Sequence, residues 1–171
     1  MTDMPLLDVV ACDSLSAADR TEIIALCTAV FAEDFARLFE LLPGSRHVVL
    51  VGHACWVTRW LQPTGSPPLR TAYVEAVATR TDRQGQGLGR TVMARVASEI
   101  AGYTLGALSP AHPRFYEHLG WEHWCGPTAI RLTDRLLPTP GEEIMILRMA
   151  QTPPLDLDAP ITAEWRTGEL W

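Results

Sequence analysis

Residues 70–89 read RTAYVEAVATRTDRQGQGLG, a strand, a short loop and a glycine-rich turn that opens a helix. Between 71 and 79 the side chains alternate, so Ala72, Val74, Ala76 and Ala78 are expected on one face and Tyr73, Glu75, Val77 and Thr79 on the other. Glu75 stands out as a carboxylate in the middle of a strand otherwise composed like a buried one. After Gln84-Gly85-Gln86-Gly87-Leu88-Gly89, the residues Leu88, Val92, Val96 and Ile100 recur at steps of four and predict a helix. Glycines let the backbone pass close to a ligand. The N–H groups of such a turn and of the first helical turn point together toward an anion.

Earlier in the chain, residues 6–12 form an apolar run fit for a first strand, followed by the turn Asp13-Ser14-Leu15-Ser16. Ser16 and Asp19 have capping-box spacing, and Ile23, Leu26, Cys27, Val30 and Phe31 make the apolar stripe of the helix they start. Residues 33–40 predict a second short helix ending at Pro43-Gly44; its early acids fit either a helix start or a wall of a substrate site. Residues 47–51 and 54–61 predict two strands joined by a tight turn at Gly52-His53, and the prolines of 62–68 make a surface loop. Beyond the central helix come a strand at 104–108 ended by Ser109-Pro110, a short helix at 113–119 containing Tyr116, and a strand at 144–149. A proline-rich segment leads to Trp165 and Leu170-Trp171, and the apolar last residue implies a tucked-in end. The order β-α-α-β-β-β-α-β-α-β gives one α/β domain over residues 1–171, with a mixed, mostly antiparallel sheet flanked by helices.

Composition narrows the function. With 47% hydrophobic and 20% charged residues the chain is globular, and no run approaches the roughly 20 apolar residues of a membrane span. Residues 1–15 carry acids and no basic cluster, so a secretory signal is not expected and the expected location is the cytoplasm. A formal charge of -6 disfavours nucleic acid and favours cationic ligands. The four cysteines, Cys12, Cys27, Cys55 and Cys125, have no metal-ligand spacing and are expected as packed free thiols. The five histidines form no pair at helical ligand spacing, so no metal is expected.

Gln84-x-x-Gly87-x-Gly89 after a strand resembles the (Q/R)-x-x-G-x-(G/A) signature of the GCN5-related N-acetyltransferases. Tyr73-Val74-Glu75, Leu105-Gly106-Ala107-Leu108-Ser109, Tyr116 before Gly120-Trp121, Gly126-Pro127-Thr128 and the ending Glu164-Trp165-Arg166-x-Gly168-x-Leu170-Trp171 are similar to the aminoglycoside 2'-N-acetyltransferases. The likeness covers residues 70–171 well and the first 70 poorly. It implies the GCN5-related N-acetyltransferase fold, with acetyl-CoA as co-substrate along Val77, Thr79 and Gln84, Gly85, Gln86, Gly87, Leu88 and Gly89. The acceptor it implies is an aminoglycoside, acetylated by a cytoplasmic enzyme, expected as a homodimer, that confers antibiotic resistance.

Acetyl transfer from a thioester needs a neutral amine and a proton for the departing thiolate. The resemblance makes Glu75 the base. The plain reading of Glu75 is a strand carboxylate satisfied by an arginine or by backbone. Tyr116 matches the tyrosine that protonates the thiolate; its plain reading is a core tyrosine. A backbone N–H near Val77 would polarise the thioester carbonyl. For the substrate ammonium groups the resemblance points to Asp34, Glu75, Ser109, Glu142 or Glu143, Glu169 and the carboxylate of Trp171. Phe39 stands where the family has a second aspartate, and a glutamate where it has an aspartate near the last strand. Fewer acids suit a substrate with fewer ammonium groups, such as kasugamycin. Two other classes stay open: acetylation of another amine (a polyamine, a protein N-terminus or a lysine), and a non-catalytic acyl-CoA-binding module.

Overall fold

A computed structural model describes residues 8–49 and 52–171. The chain divides into two compact units, Met1–Val57 with Val74–Glu99, and Thr58–Tyr73 with Ile100–Trp171.

In the first unit, helix α1 (Ala17–Phe31) starts where the sequence placed it. Asp19 N–H donates to Ser16 Oγ at 3.1 Å and Ser16 N–H to Asp19 Oδ2 at 3.1 Å, the reciprocal box that satisfies two orphan donors. Its apolar stripe buries Ile23 and Cys27 among Leu15, Leu38, Leu42, Cys55 and Ala78, with Leu26, Val30 and Phe31 packed against them. Burying each large side chain is worth about 1.5–3 kcal/mol, which outweighs the modest propensity of this β-branched sequence for helix. The second helix is shorter than expected: α2 (Leu38–Leu41) is one turn, because Asp34 Oδ1 accepts Ala36 N–H at 2.8 Å and that side-chain turn competes with helix at its start.

Strand β1 (Asp8–Ala11) pairs antiparallel with β2 (Arg46–Val49), and β2 pairs antiparallel with β3 (Gly52–Pro63). The first strand expected from residue 6 thus begins partly outside the described residues. The turn expected at Gly52-His53 is not there: His53 is opposite Val49 in the ladder, and residues 50 and 51 lie outside the described part. Gly52 is needed for close approach instead, since a Cβ on it would sit 2.9 Å from the Ala78 carbonyl oxygen. Strand β4 (Leu69–Thr79) leads to α3 (Leu88–Glu99), whose Val92, Met93 and Val96 are buried on the expected stripe.

In the second unit, β4 pairs parallel with β5 (Leu105–Leu108), and β5 pairs antiparallel with β9 (Ile144–Arg148), which also takes β6 (Glu122–Trp124). A further group joins the end of β3 antiparallel to β10 (Ile161–Glu164), β10 parallel to β7 (Thr128–Arg131), and β7 antiparallel to β8 (Leu136–Pro138). A five-residue helix, α4 (Pro113–Glu117), follows β5. The mixed, mostly antiparallel pairing agrees with the expectation, but β6, β7, β8 and β10 were not foreseen. Each holds only three or four residues.

The tail of this unit is fastened by a buried cation. Arg59, 1% exposed, donates to the carbonyls of Glu164 and Leu170 at 2.7 Å each and lies 5.1 Å over the Tyr73 ring. Trp171 is buried, as expected for a tucked-in end, and its Nε1 donates to Thr139 Oγ1 at 2.8 Å. At Gly126 the backbone of the proline-rich segment comes so close that a Cβ would lie 2.0 Å from the Ala159 carbonyl oxygen. Substituting Gly126→Ala is therefore expected to cost about 1–3 kcal/mol, read as a lowered melting temperature. A wild-type melting temperature would mean this contact carries no weight.

Candidate active site

The site is built around an interruption in β4. Ala76 has φ 51°, one of two non-glycine residues in the left-handed region among the described residues. A single reversed residue takes its polar groups out of the regular ladder and rotates the strand after it. The expected alternation of faces is not seen: Thr71 to Val74 are all buried, and around the reversal Glu75, Ala76 and Val77 are all half-buried. Glu75 thus sits at the edge of solvent with its carboxylate one residue from the reversal. Its carbonyl lies 3.5 Å from the Cys55 thiol, which donates to it.

Behind the reversal stands a file of buried polar groups. Ser45 Oγ lies 2.7 Å from His47 Nε2, His47 Nδ1 lies 2.9 Å from His53 Nε2, and His53 Nδ1 lies 2.9 Å from the carbonyl oxygen of Ala76. Ser45, His47 and His53 are at most 1% exposed. Burial is the main reason that His47 is held down at about 3, with His53 and Arg20 adding repulsion. Burial likewise lowers His53 to about 4, partly offset by its hydrogen bond to Ala76. Both imidazoles are neutral at pH 7. His47, His53 and Cys55 also bring three potential metal donors within 4.8 Å of one another, a grouping that the sequence spacing did not foresee because β2 and β3 supply it jointly.

Along the same unit, Thr79 ends β4 and Gln84 Nε2 donates back to its carbonyl at 3.3 Å. Gly85 and Gly87 adopt φ 75° and 80°, conformations that glycine takes without steric cost, and a Cβ on either would meet nothing within 4 Å. Residues 84–87 are exposed, while Leu88 and Gly89 enter α3 half-buried. The first helical bond is Thr91 N–H to Gly87 O at 3.1 Å, so the amides before it are open to an anionic group. Asp34 is exposed in its own turn.

In the second unit, Tyr116 is buried edge-on to Phe115 and Trp121, and its carbonyl accepts the Leu119 and Trp121 N–H groups at 2.8 and 3.1 Å. Burial pushes its phenol up to about 12. Leu108 is opposite Met145, which brings Ser109 and Glu143 to the same end of the β5–β9 pair. Glu142 and Glu143 are exposed, and Glu142 N–H donates to the Thr139 carbonyl at 3.3 Å. Thr139 is the residue that fixes the Trp171 indole, so Glu142 and Trp171 belong to one local arrangement. Glu169 is exposed and its carbonyl accepts Arg166 Nε.

Comparison with known proteins decides the family. A domain family described as an acetyltransferase (GNAT) domain matches residues 44–124. An aminoglycoside 2'-N-acetyltransferase of Mycolicibacterium fortuitum is 38% identical over 132 residues, covering 73% of this chain and 67% of that protein. The chain belongs to the GCN5-related N-acetyltransferases. The GNAT fold agrees with the solved structure of YhbS from Escherichia coli, a GNAT family N-acetyltransferase in complex with CoA (TM-score 0.62, 17% identity, 97% of this chain and 94% of that one). It agrees also with Eis1 of Mycobacterium abscessus (TM-score 0.57, 19% identity), of which this chain covers 32% while 72% of it is matched.

What the sequence missed in this GNAT chain is the histidine file and the reversal it touches. A positive φ at alanine has no sequence signal, and two histidines six residues apart acquire meaning only once β2 and β3 pair. Their lowered pKa values make a pH prediction. Below the unfolded value of about 6.5 the unfolded chain takes up protons that the folded chain refuses until pH 4 or lower, so this contribution is present above 6.5 and lost as pH falls toward 4. Between pH 7 and 5 the loss is up to about 2 kcal/mol per histidine. Urea denaturation of the wild type and of a His47→Asn variant at both pH values checks it; an identical pH dependence for the two would mean that His47 contributes nothing to it.

Proposed function

We propose that this GNAT acetyltransferase moves the acetyl group of acetyl-CoA to an amine of an aminoglycoside, the 2'-amine, with residues 1–171 working as a single acetyltransferase domain. The observation that carries the reading is the half-buried Glu75 beside the reversed Ala76, on the strand that leads to the glycine turn of residues 84–89. The name of the Mycolicibacterium relative supports the acceptor, and the CoA bound in the YhbS structure supports the donor.

The chemistry follows from the side chains. Gln84, Gly85, Gln86, Gly87, Leu88 and Gly89 hold the pyrophosphate of acetyl-CoA by backbone N–H groups at the start of α3, with Val77 and Thr79 beside the pantetheine arm. Glu75 takes a proton from the ammonium, directly or through water, and the free amine attacks the thioester carbonyl. A backbone N–H near Val77 stabilises the oxyanion. The carbon–sulfur bond then breaks and Tyr116 gives its proton to the thiolate. With its phenol held at about 12 by burial, Tyr116 is protonated across the neutral range and ready to act as an acid. Asp34, Ser109, Glu142, Glu143, Glu169 and Trp171 receive the cationic substrate, to which the -6 charge of the chain is also favourable.

Phe39 supports a substrate with fewer ammonium groups, since its ring lies tilted 5.4 Å from the His47 ring and 4.8 Å from the Arg20 guanidinium where the family carries a second acid. Kasugamycin is such a substrate. The proposal extends to a cytoplasmic homodimer that confers antibiotic resistance and engages neither nucleic acid nor membrane; among the described residues no helix is long and apolar enough to cross a membrane.

Thiol release from acetyl-CoA, measured against kasugamycin, other aminoglycosides, a polyamine and lysine peptides, tests the reading. Turnover is expected with the aminoglycosides, falling by about 100-fold or more in Glu75→Gln and in Tyr116→Phe, as for a lost general base or acid. Turnover confined to the polyamine or peptides would move the acceptor class. Binding of acetyl-CoA without turnover on any amine would leave a non-catalytic module.

A further inference from the structure

We propose that His47 and His53 are positioning residues for the catalytic strand: their hydrogen-bonded file, anchored on Ser45, holds the Ala76 carbonyl and with it the backbone reversal that aims Glu75 and Val77. The inference rests on the role proposed above for Glu75.

The file has one consistent direction. Its last acceptor is a carbonyl oxygen, which cannot donate, so the proton of His53 sits on Nδ1 and points at Ala76. His53 Nε2 is then an acceptor and His47 Nδ1 carries the second proton; His47 Nε2 accepts from the Ser45 hydroxyl. Along the file every ring nitrogen has one role, and His53 Nδ1 has a further neighbour, the Cys27 thiol at 3.8 Å. Because the file ends on a carbonyl it does not pass a proton onward, and its use is orientation. The lowered pKa values agree, since a neutral ring has one donor and one acceptor, as each ring here needs.

The file is also held from the sides. The Phe39 ring lies 5.4 Å from His47, and Cys27 Sγ lies 3.8 Å from His53 Nδ1. A residue with a Cβ at φ 51° is unfavourable, and such conformations persist where the surroundings over-determine them. At Ala76 the surrounding that does so is the His53 N–H. Without it, a carbonyl turned toward a buried ring would lose that donor, and the strand would relax toward regular pleat, rotating Glu75 and Val77 away from their present directions.

The test uses three variants. In His53→Asn the amide N–H stands where Nδ1–H was; in His53→Leu that donor is gone; in His47→Leu the His53 tautomer loses its outer partner. The readouts are kcat and KM for the amine, calorimetric acetyl-CoA affinity, melting temperature, and amide hydrogen exchange over residues 75–78. His53→Leu is expected to lose about 100-fold in kcat, the scale of a 1 Å misplacement, with faster exchange at Val77 and a smaller loss of acetyl-CoA affinity. His53→Asn is expected to recover most of both. If His53→Leu does not fold, His47→Leu is expected to reproduce the loss in part. A folded His53→Leu protein with wild-type exchange over 75–78 would overturn the proposal, whether or not any amine is turned over. Tight zinc binding by the wild type that disappears in His53→Asn would also overturn it, because a metal would claim the ring nitrogens that the file needs.

Discussion

A reversed backbone at Ala76 is the constraint on which the first unit depends. A strand of hydrophobic composition would run in regular pleat, with Glu75 facing one way and its neighbours the other; φ 51° at Ala76 prevents that. The penalty is on the order of 1–3 kcal/mol for a residue with a Cβ, and the carbonyl is turned toward the His53 ring. Offsetting it is a buried imidazole that donates to that carbonyl, itself fixed by a second imidazole and a serine. Three consecutive half-buried residues result in the middle of an otherwise buried strand. That is where a carboxylate can meet both the interior and a substrate.

Burial acts with opposite sign on the acids and bases of this protein, and in both cases it favours the neutral form. It raises the Tyr116 phenol to about 12 and lowers His47 and His53 to about 3 and 4. Tyr116 therefore keeps the proton that its proposed role requires it to give. The histidines keep the uncharged state that their proposed role requires in order to hold a direction. The charged groups are handled differently: Arg59 is fully buried only because two carbonyls, the Glu164 carboxylate and the Tyr73 face surround it. Asp34, Glu142, Glu143 and Glu169 remain exposed.

Much of the architecture was legible because it rests on periodic burial and local chemistry. The capping box at Ser16, the stripes of α1 and α3, the central strand and the glycine turn are all present. Elements decided by long-range packing were not. Strands β6, β7, β8 and β10 are too short to carry a period, and Gly52 looked like a turn because the sequence does not reveal the Ala78 carbonyl against it. The second helix lost most of its length to the Asp34 side chain, a local competition that pattern alone does not weigh. At the site, the candidate residues came from a motif, and the structure adds what motifs omit: the reversal at Ala76 and the polar groups that hold it. Of the cysteines expected as packed thiols, Cys12, Cys27 and Cys55 are buried and Cys125 is exposed.

Calorimetric titration of acetyl-CoA into the wild type and a Gly87→Val variant tests whether the turn before α3 binds the pyrophosphate, as proposed. A Cβ at Gly87 touches nothing, but its φ of 80° is one that a β-branched residue resists, so the change acts on the loop and not on the core. Saturable binding to the wild type is expected, and its loss in a variant that keeps its far-ultraviolet circular dichroism and its cooperative melting. Equal affinity in the two proteins would contradict it.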